Sequence, residues 1–251
     1  MTTVFPTRAA AVATATALLL AAIGCSQPET VEQKPAPQPQ QQDPAGSEVP
    51  DQLQPQPTEL ASVPPDADDL DRFIADLDTE GSLVAHIETD HGTLDCELFE
   101  EKAPVTVANF VGLARGLKAY VHPATAEPIS GVPFFDDVTF HRVIPEVLIQ
   151  AGDPTGQGHA TPGYTIPDEI VDELSHDAPG MLSMANRGPD TGGSQFFIIE
   201  GPQPHLDGHH TIFGQCEPKQ VIRSISHVPT RAMSEPTEPA PTIKSITIRR
   251  F

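Results

Sequence analysis

Residues 134–153 read FFDDVTFHRVIPEVLIQAGD. An apolar run over 138–144, suited to a buried strand, carries His141 and Arg142 at its centre, and Gln150 closes the short run that follows. Two arrangements put an imidazole and a guanidinium side by side in such a segment. One is plain surface alternation; the other is a site mounted on a rigid strand. The sequence on either side decides between them.

Upstream, LVAHIETDHGTLDCELF places Leu83, Ala85 and Ile87 on one face, turns at His91-Gly92, and places Leu94, Cys96 and Leu98 on one face. Two period-2 runs across a tight turn predict a hairpin. APVTVANFVGLARG then sets Pro104 at a first helical position, Val107, Phe110, Val111 and Ala114 at helical spacing, and Gly116 where a helix ends. One helix with one buried stripe is expected, and residues 117–133 read as loop. Short apolar segments follow at 138–144, 147–150, 181–185, 195–200 and 211–214, separated by turn residues. Helical spacing returns at Val221, Ile222 and Ile225, before a last strand around Ile246 and Ile248. Many short strands with two isolated helices indicate an all-β sandwich or barrel. The last strand is expected to pair with the first hairpin, which removes an open edge. By alternation Phe196 and Phe197 face opposite ways, one into the core, and Phe140 faces the core.

The N-terminal quarter reads differently. MTTVFPTRAAAVATATALLLAAIGC has one Arg8 and an Ala/Leu-rich stretch too short to span a membrane, as an export signal does. It ends in Ala22-Ile23-Gly24-Cys25, which resembles a bacterial lipobox with Ala22 in place of the usual Leu. Residues 26–65 hold ten prolines and nine glutamines. So little apolar surface cannot offset about 1–2 kcal/mol per residue of backbone ordering, so an extended spacer is expected. The organisation is therefore a lipoprotein-type signal over 1–24, lipidated Cys25 with a disordered linker over 25–79, and a folded domain over 80–251. Ser26 lacks the Asp that commonly retains lipoproteins at the inner membrane, which leans the placement towards a periplasmic, outer-membrane anchor.

A formal net charge of −21 argues against binding to nucleic acid or to anionic lipid headgroups. Cys96 and Cys216 are either a disulfide, which an exported compartment permits, or two small buried hydrophobes. No dinucleotide, phosphate-loop, zinc CxxC or GxSxG pattern is present. His205, His209 and His210 flank an Asp207-Gly208 turn rather than sharing a helix face, so no metal site is expected. Asp136-Asp137 and Asp168-Glu169 read as solvated loop carboxylates.

Three blocks together carry a resemblance: FHRVIPEVLIQAGD (140–153), MANRGPDTGGSQFFI (184–198) and HLDGHHTIFG (205–214). In that order, and with the opening hairpin and APVTVANF, the chain resembles the cyclophilin-type peptidyl-prolyl isomerases over about 80–251. The resemblance implies a closed eight-stranded antiparallel barrel capped by two α-helices, with a shallow peptide groove on its outside, no cofactor, and a monomer. It implies a catalytic set of Arg142, His141 and Gln150, with His141 at the groove edge. Val147, Leu148, Phe197 and Leu206 form a proline pocket flanked by His210. Asn186 holds the peptide through its carbonyl, Ala185 and Arg187 flank that contact, and Gln195 lines the groove. Two positions depart from the family: Val147 stands where Phe is usual, and His205 stands where cyclosporin-sensitive members carry Trp.

The implied reaction breaks no covalent bond. Rotating an X–Pro amide costs about 20 kcal/mol because planarity is resonance-stabilised. At the twisted geometry the prolyl nitrogen gains a lone pair, and a fixed donor aimed there binds only the transition state. Arginine suits the task, being always protonated and carrying a fork of donors, with Gln150 as a brace. The expected partners are proline-containing segments of exported proteins. The alternative is a peptide-binding module or holdase that uses the same groove with little turnover.

Overall fold

The computed structural model describes residues 57–251 apart from Glu238. The export signal, Cys25 and the Pro/Gln-rich stretch to residue 56 lie outside the described residues.

The first hairpin forms as its alternation demands. β1 (Leu83–Thr89) and β2 (Gly92–Leu98) pair with Ala85 opposite Cys96 and Ile87 opposite Leu94, all four fully buried. The turn closes through the Thr89 hydroxyl, which donates to the Gly92 carbonyl and accepts from the His91 amide. Gly92 takes φ +118°, a conformation that L side chains avoid. β10 (Ile243–Arg250) pairs antiparallel with β1, as the sequence led one to expect.

Five further strands complete one antiparallel sheet: β5 (Arg142–Ile144), β6 (Leu148–Ala151), β7 (Met181–Met184), β8 (Phe196–Ile199) and β9 (Ile212–Glu217). Its order is β10-β1-β2-β9-β7-β8-β6-β5. The sheet curls until its two edges meet. Thr139 bridges Thr242, the Phe140 amide donates to the Pro241 carbonyl, and the Ile243 amide donates to the Val138 carbonyl. The expected strand over 138–144 is thus two pieces with different partners. Residues 138–140 seal the barrel against the C-terminal strand, and 142–144 form β5 against β6. The interior is aromatic, with Phe110 ringed by Phe135, Phe196 and Phe213 at centroid distances of 5.3, 5.5 and 5.4 Å. Burying each such ring contributes about 1.5–3 kcal/mol. Cys96 and Cys216 are opposite each other on β2 and β9 and are joined as a disulfide.

α3 (Pro104–Ala114) begins on Pro104 and ends before Gly116 at φ +67°. Its burial is wider than one stripe, since every residue from Thr106 to Ala114 is buried. The inner face packs on the barrel, and the outer face is covered by a segment the sequence left in the linker. That segment holds α1 (Pro57–Ser62) and α2 (Asp69–Phe73), with Ala61, Leu70 and Phe73 buried. The expectation of a disordered linker to residue 79 is therefore wrong over 57–79. Phe73 seats where Gly112 leaves room, and a Cβ on Gly112 would come within 2.6 Å of the ring. Arg115 donates to the Phe73 carbonyl and pairs with Asp76, and the Lys118 ammonium donates to the Leu60 carbonyl. Residues 117–133, expected as loop, include a small ladder of β3 (Tyr120–Val121) and β4 (Pro128–Ile129). α4 (Lys219–Ser226) buries Ile222 and Ile225 on one side of a charged helix.

Candidate active site

The β5–β6 hairpin explains its own charged pair. Val143 and Ile149 face each other, fully buried, so the pleat turns their neighbours outward. Register then lines up Arg142, Gln150, Phe197 and Ser183 across four strands. Two residues along the strands, about 7 Å away, runs a second row of Ile144, Leu148 and Ile199. A row that is polar at Arg142 and Gln150 and aromatic at Phe197, beside a wholly apolar row, is the skeleton of the site.

In the polar row the Arg142 guanidinium is exposed and donates to Gln150 Oε1 at 3.3 Å. Gln150 Nε2 donates to Gln195 Oε1 at 3.1 Å, and Gln195 Nε2 donates to the Ala160 carbonyl at 2.9 Å. Each amide orients the next, so the guanidinium is braced from below while its outer face stays open. Among the described residues Arg142 enters no ion pair.

The apolar row opens into a notch. Leu148, Phe197 and Ile199 form a cluster separate from the barrel core, with Val147, Met181, Ala185 and Leu206 packed against it. All four residues expected in the proline pocket are brought together there. His210 stands edge-on to Phe197, ring centroids 5.2 Å apart, and its Nδ1 lies 3.0 Å from the Met184 carbonyl. That carbonyl can only accept, so Nδ1 carries the proton. Burial holds the His210 pKa below the ordinary histidine value, against the Met184 hydrogen bond, so the ring is neutral near pH 7.

The rim is built from loops. Asn186 Nδ2 donates to the His209 carbonyl at 2.8 Å and to Asp168 Oδ1 at 3.3 Å. The Ala185 amide donates to the Gln195 carbonyl, and Arg187 reaches across to donate to the Gly158 carbonyl. Between them, beside Gln150 and Gln195, lies a second depression of about 80 Å³.

His141 is not on the groove edge. It is buried beneath the 153–160 loop, against Gly158, and neither ring nitrogen meets hydrogen-bond geometry with a described partner. Burial lowers its pKa, with the Asp153 carboxylate pulling the other way. That loop is tied down by Asp153, whose carboxylate accepts from the Thr155 amide and hydroxyl and from the His159 and Ala160 amides.

The sequence reading missed what stands behind Phe197. His176, fully buried, stacks on the Phe197 ring at 6.0 Å, with Nδ1 2.7 Å from Asp207 Oδ1 and Nε2 2.9 Å from the Ser183 hydroxyl. The set has the connectivity of a hydrolase triad, but Ser183, directly across from Phe197 on the neighbouring strand, is fully buried, where no substrate carbonyl can reach. Its effect here is to pack and orient the pocket's ring. No signal in the chain linked residues 176, 183 and 207, which come from two loops and a strand and meet only in the folded chain. Glu169, read as a solvated carboxylate, instead caps α3 by accepting from the Val105 and Thr106 amides and the Thr106 hydroxyl. Among the described residues no three His, Cys, Asp or Glu side chains are grouped to hold a metal.

The family model for cyclophilin type peptidyl-prolyl cis-trans isomerase/CLD matches residues 84–248. A peptidyl-prolyl cis-trans isomerase A from Mycobacterium tuberculosis is 48% identical over 170 residues, covering 66% of this chain and 92% of the relative. A peptidyl-prolyl cis-trans isomerase B from Streptomyces anulatus is 42% identical over 156 residues, covering 61% and 89%. Among solved structures, a Cryptosporidium parvum cyclophilin type peptidyl-prolyl cis-trans isomerase superposes with a TM-score of 0.58 at 30% identity, covering 68% of this chain and 99% of that one.

Proposed function

The chain belongs to the cyclophilin-type peptidyl-prolyl cis-trans isomerases, and from that membership we propose that Arg142 stabilises the twisted amide while the Val147–Leu148–Phe197–Leu206 notch grips the proline ring. The observation that carries this reading is the adjacency of an unpaired, braced guanidinium and a separate apolar cluster on neighbouring rows of one sheet. With the proline held in the notch and the preceding residue held at the Asn186 rim, the bond between them is the one free to turn. Arg142 then donates to the pyramidal prolyl nitrogen, an interaction the planar amide does not offer. A lysine would bring charge without the planar fork that Gln150 braces. His141, buried and neutral, transfers no proton in this scheme and supports the polar row from behind.

We further propose that the clients are flexible X–Pro segments of exported proteins, met in the cell envelope by an enzyme that Cys25 anchors through lipid, outer membrane rather than inner. The lipobox-like residues 22–25 and the spacer support that placement. The mass of the mature N-terminus tests it, since an unacylated terminus rules it out.

For the mechanism, Arg142→Ala should lower kcat/KM on a proline tetrapeptide by about 100-fold, or about 2.7 kcal/mol, with the fold intact. Undiminished activity would refute the arginine's role. Val147, thinner than the family's Phe, favours the second reading, a peptide-holding module with little turnover. That reading requires firm peptide binding by the wild-type chain together with a negligible isomerisation rate.

A further inference from the structure

The hairpin that carries Arg142 turns through Pro145 and Glu146, closed by the Val147 amide donating to the Ile144 carbonyl at 3.0 Å. Glu146 sits at φ +66°. Turns with Pro first and a positive φ second ordinarily use Gly in the second place, because a Cβ there is crowded. A glutamate is strained in this conformation where a glycine would not be, so a contact from outside the turn helps to hold it.

That support is visible. Glu200 Oε2 accepts from the Glu146 amide at 2.6 Å and from the Ser226 hydroxyl at 2.6 Å, and Oε1 lies 3.1 Å from His227 Nε2. The Glu200 amide donates to the Val147 carbonyl, so one residue grips the turn on both sides. The carboxylate is only 9% exposed, and Gly201 next to it is shaped for the turn, since a Cβ there would lie 2.9 Å from the Glu146 carbonyl. The residue that leaves this turn is Val147, which packs into the proline notch.

We propose that Glu200, oriented by Ser226 and His227 at the end of α4, is a positioning residue that holds the Pro145–Glu146 turn so that Val147 stands in the notch wall. The inference rests on the reading that the notch receives the proline ring. Because Val147 touches the ring in both planar and twisted states, loss of the clamp weakens both equally and appears in KM rather than kcat.

The test is steady-state isomerisation of a proline tetrapeptide by the full chain. Glu200→Leu should raise KM about 10-fold with kcat within about 2-fold, and adding Glu146→Gly should bring KM back to within about 2-fold of wild type, since glycine takes a positive φ unaided. Glu200→Gln, whose amide oxygen can still accept from Glu146, should lie between. An unchanged KM in Glu200→Leu overturns the proposal, and so does a loss that the glycine does not relieve. If Glu200→Leu fails to fold, Ser226→Ala combined with His227→Phe frees the carboxylate and must give the same glycine-reversible rise. Phe197→Ala separates the premises. If it raises KM while the Glu200 variants do not, the clamp alone fails; if it too leaves KM unchanged, the notch reading fails.

Discussion

Arg142 owes its reach to one neighbour: Val143, fully buried, commits the pleat and leaves the guanidinium nowhere to go but out. Val147, with His205, is one of the two positions at which the resemblance implies a departure from the family. On the proposed reading, in which the notch takes the proline ring, enlarging Val147 to Phe adds apolar contact at about 25 cal/mol per Å², so Val147→Phe should lower KM by about 3- to 5-fold, readable in the same tetrapeptide assay. Two histidines set a pH dependence. His141 and His210 both have pKa values held below the ordinary histidine range, by burial first in each case. Between that depressed folded value and about 6.5 the unfolded chain binds more protons, so stability is complete above pH about 6.5 and falls as pH drops through the folded values. Thermal melts should therefore give a lower Tm at pH 5.5 than at pH 7.5, and His141→Phe should flatten that difference. At this scale the candidate site was largely legible. Alternation placed Phe196 and Phe197 on opposite faces, and the quoted motifs named the notch. The burial of His141 was not legible, because a loop twelve or more residues downstream covers it.

Among the elements, the hairpin, α3 and α4 followed from local periodicity and turn chemistry, and the pairing of β1 with β10 from the need to close an open edge. What periodicity could not supply were contacts between distant segments: α2 on α3, Glu169 on the first turn of α3, and His176 with Asp207 and Ser183. Each joins residues whose local sequence looks like ordinary loop or helix surface. The disulfide belongs here too, closing β2 onto β9 across a separation of 120 residues. Constraining so long a loop of unfolded chain contributes about 2–5 kcal/mol. Cys96→Ala with Cys216→Ala should lower the urea midpoint correspondingly, because the pair lies away from the notch and serves the frame. The α2 contact is as testable. Gly112→Ala pushes a methyl into the Phe73 ring and should cost about 1–3 kcal/mol, and Phe73→Ala about 3–5 kcal/mol, both read by chemical denaturation.

The described residues form a barrel sealed by a short seam, with the candidate site on one outer wall. Acid should undo it in a second step below the histidine window. Burial pushes the Asp153 and Glu200 carboxyls up, but their hydrogen bonds outweigh it and hold both below the usual carboxylate range. Their contribution is present above pH about 4 and lost as pH falls through the depressed folded values. A pH titration followed by peptide binding should show the groove failing as the 153–160 loop and the Glu146 turn come free. The amino-terminal helices carry a mechanical consequence. Tension delivered at residue 57 reaches α1 and α2 before it reaches any strand. Those helices are held by Lys118, Arg115 and the buried side chains of Ala61, Leu70 and Phe73, whereas the first strand is zipped to β2 on one side and β10 on the other. Under such a pull the two helices would peel first, while the strands that carry the candidate site stayed paired.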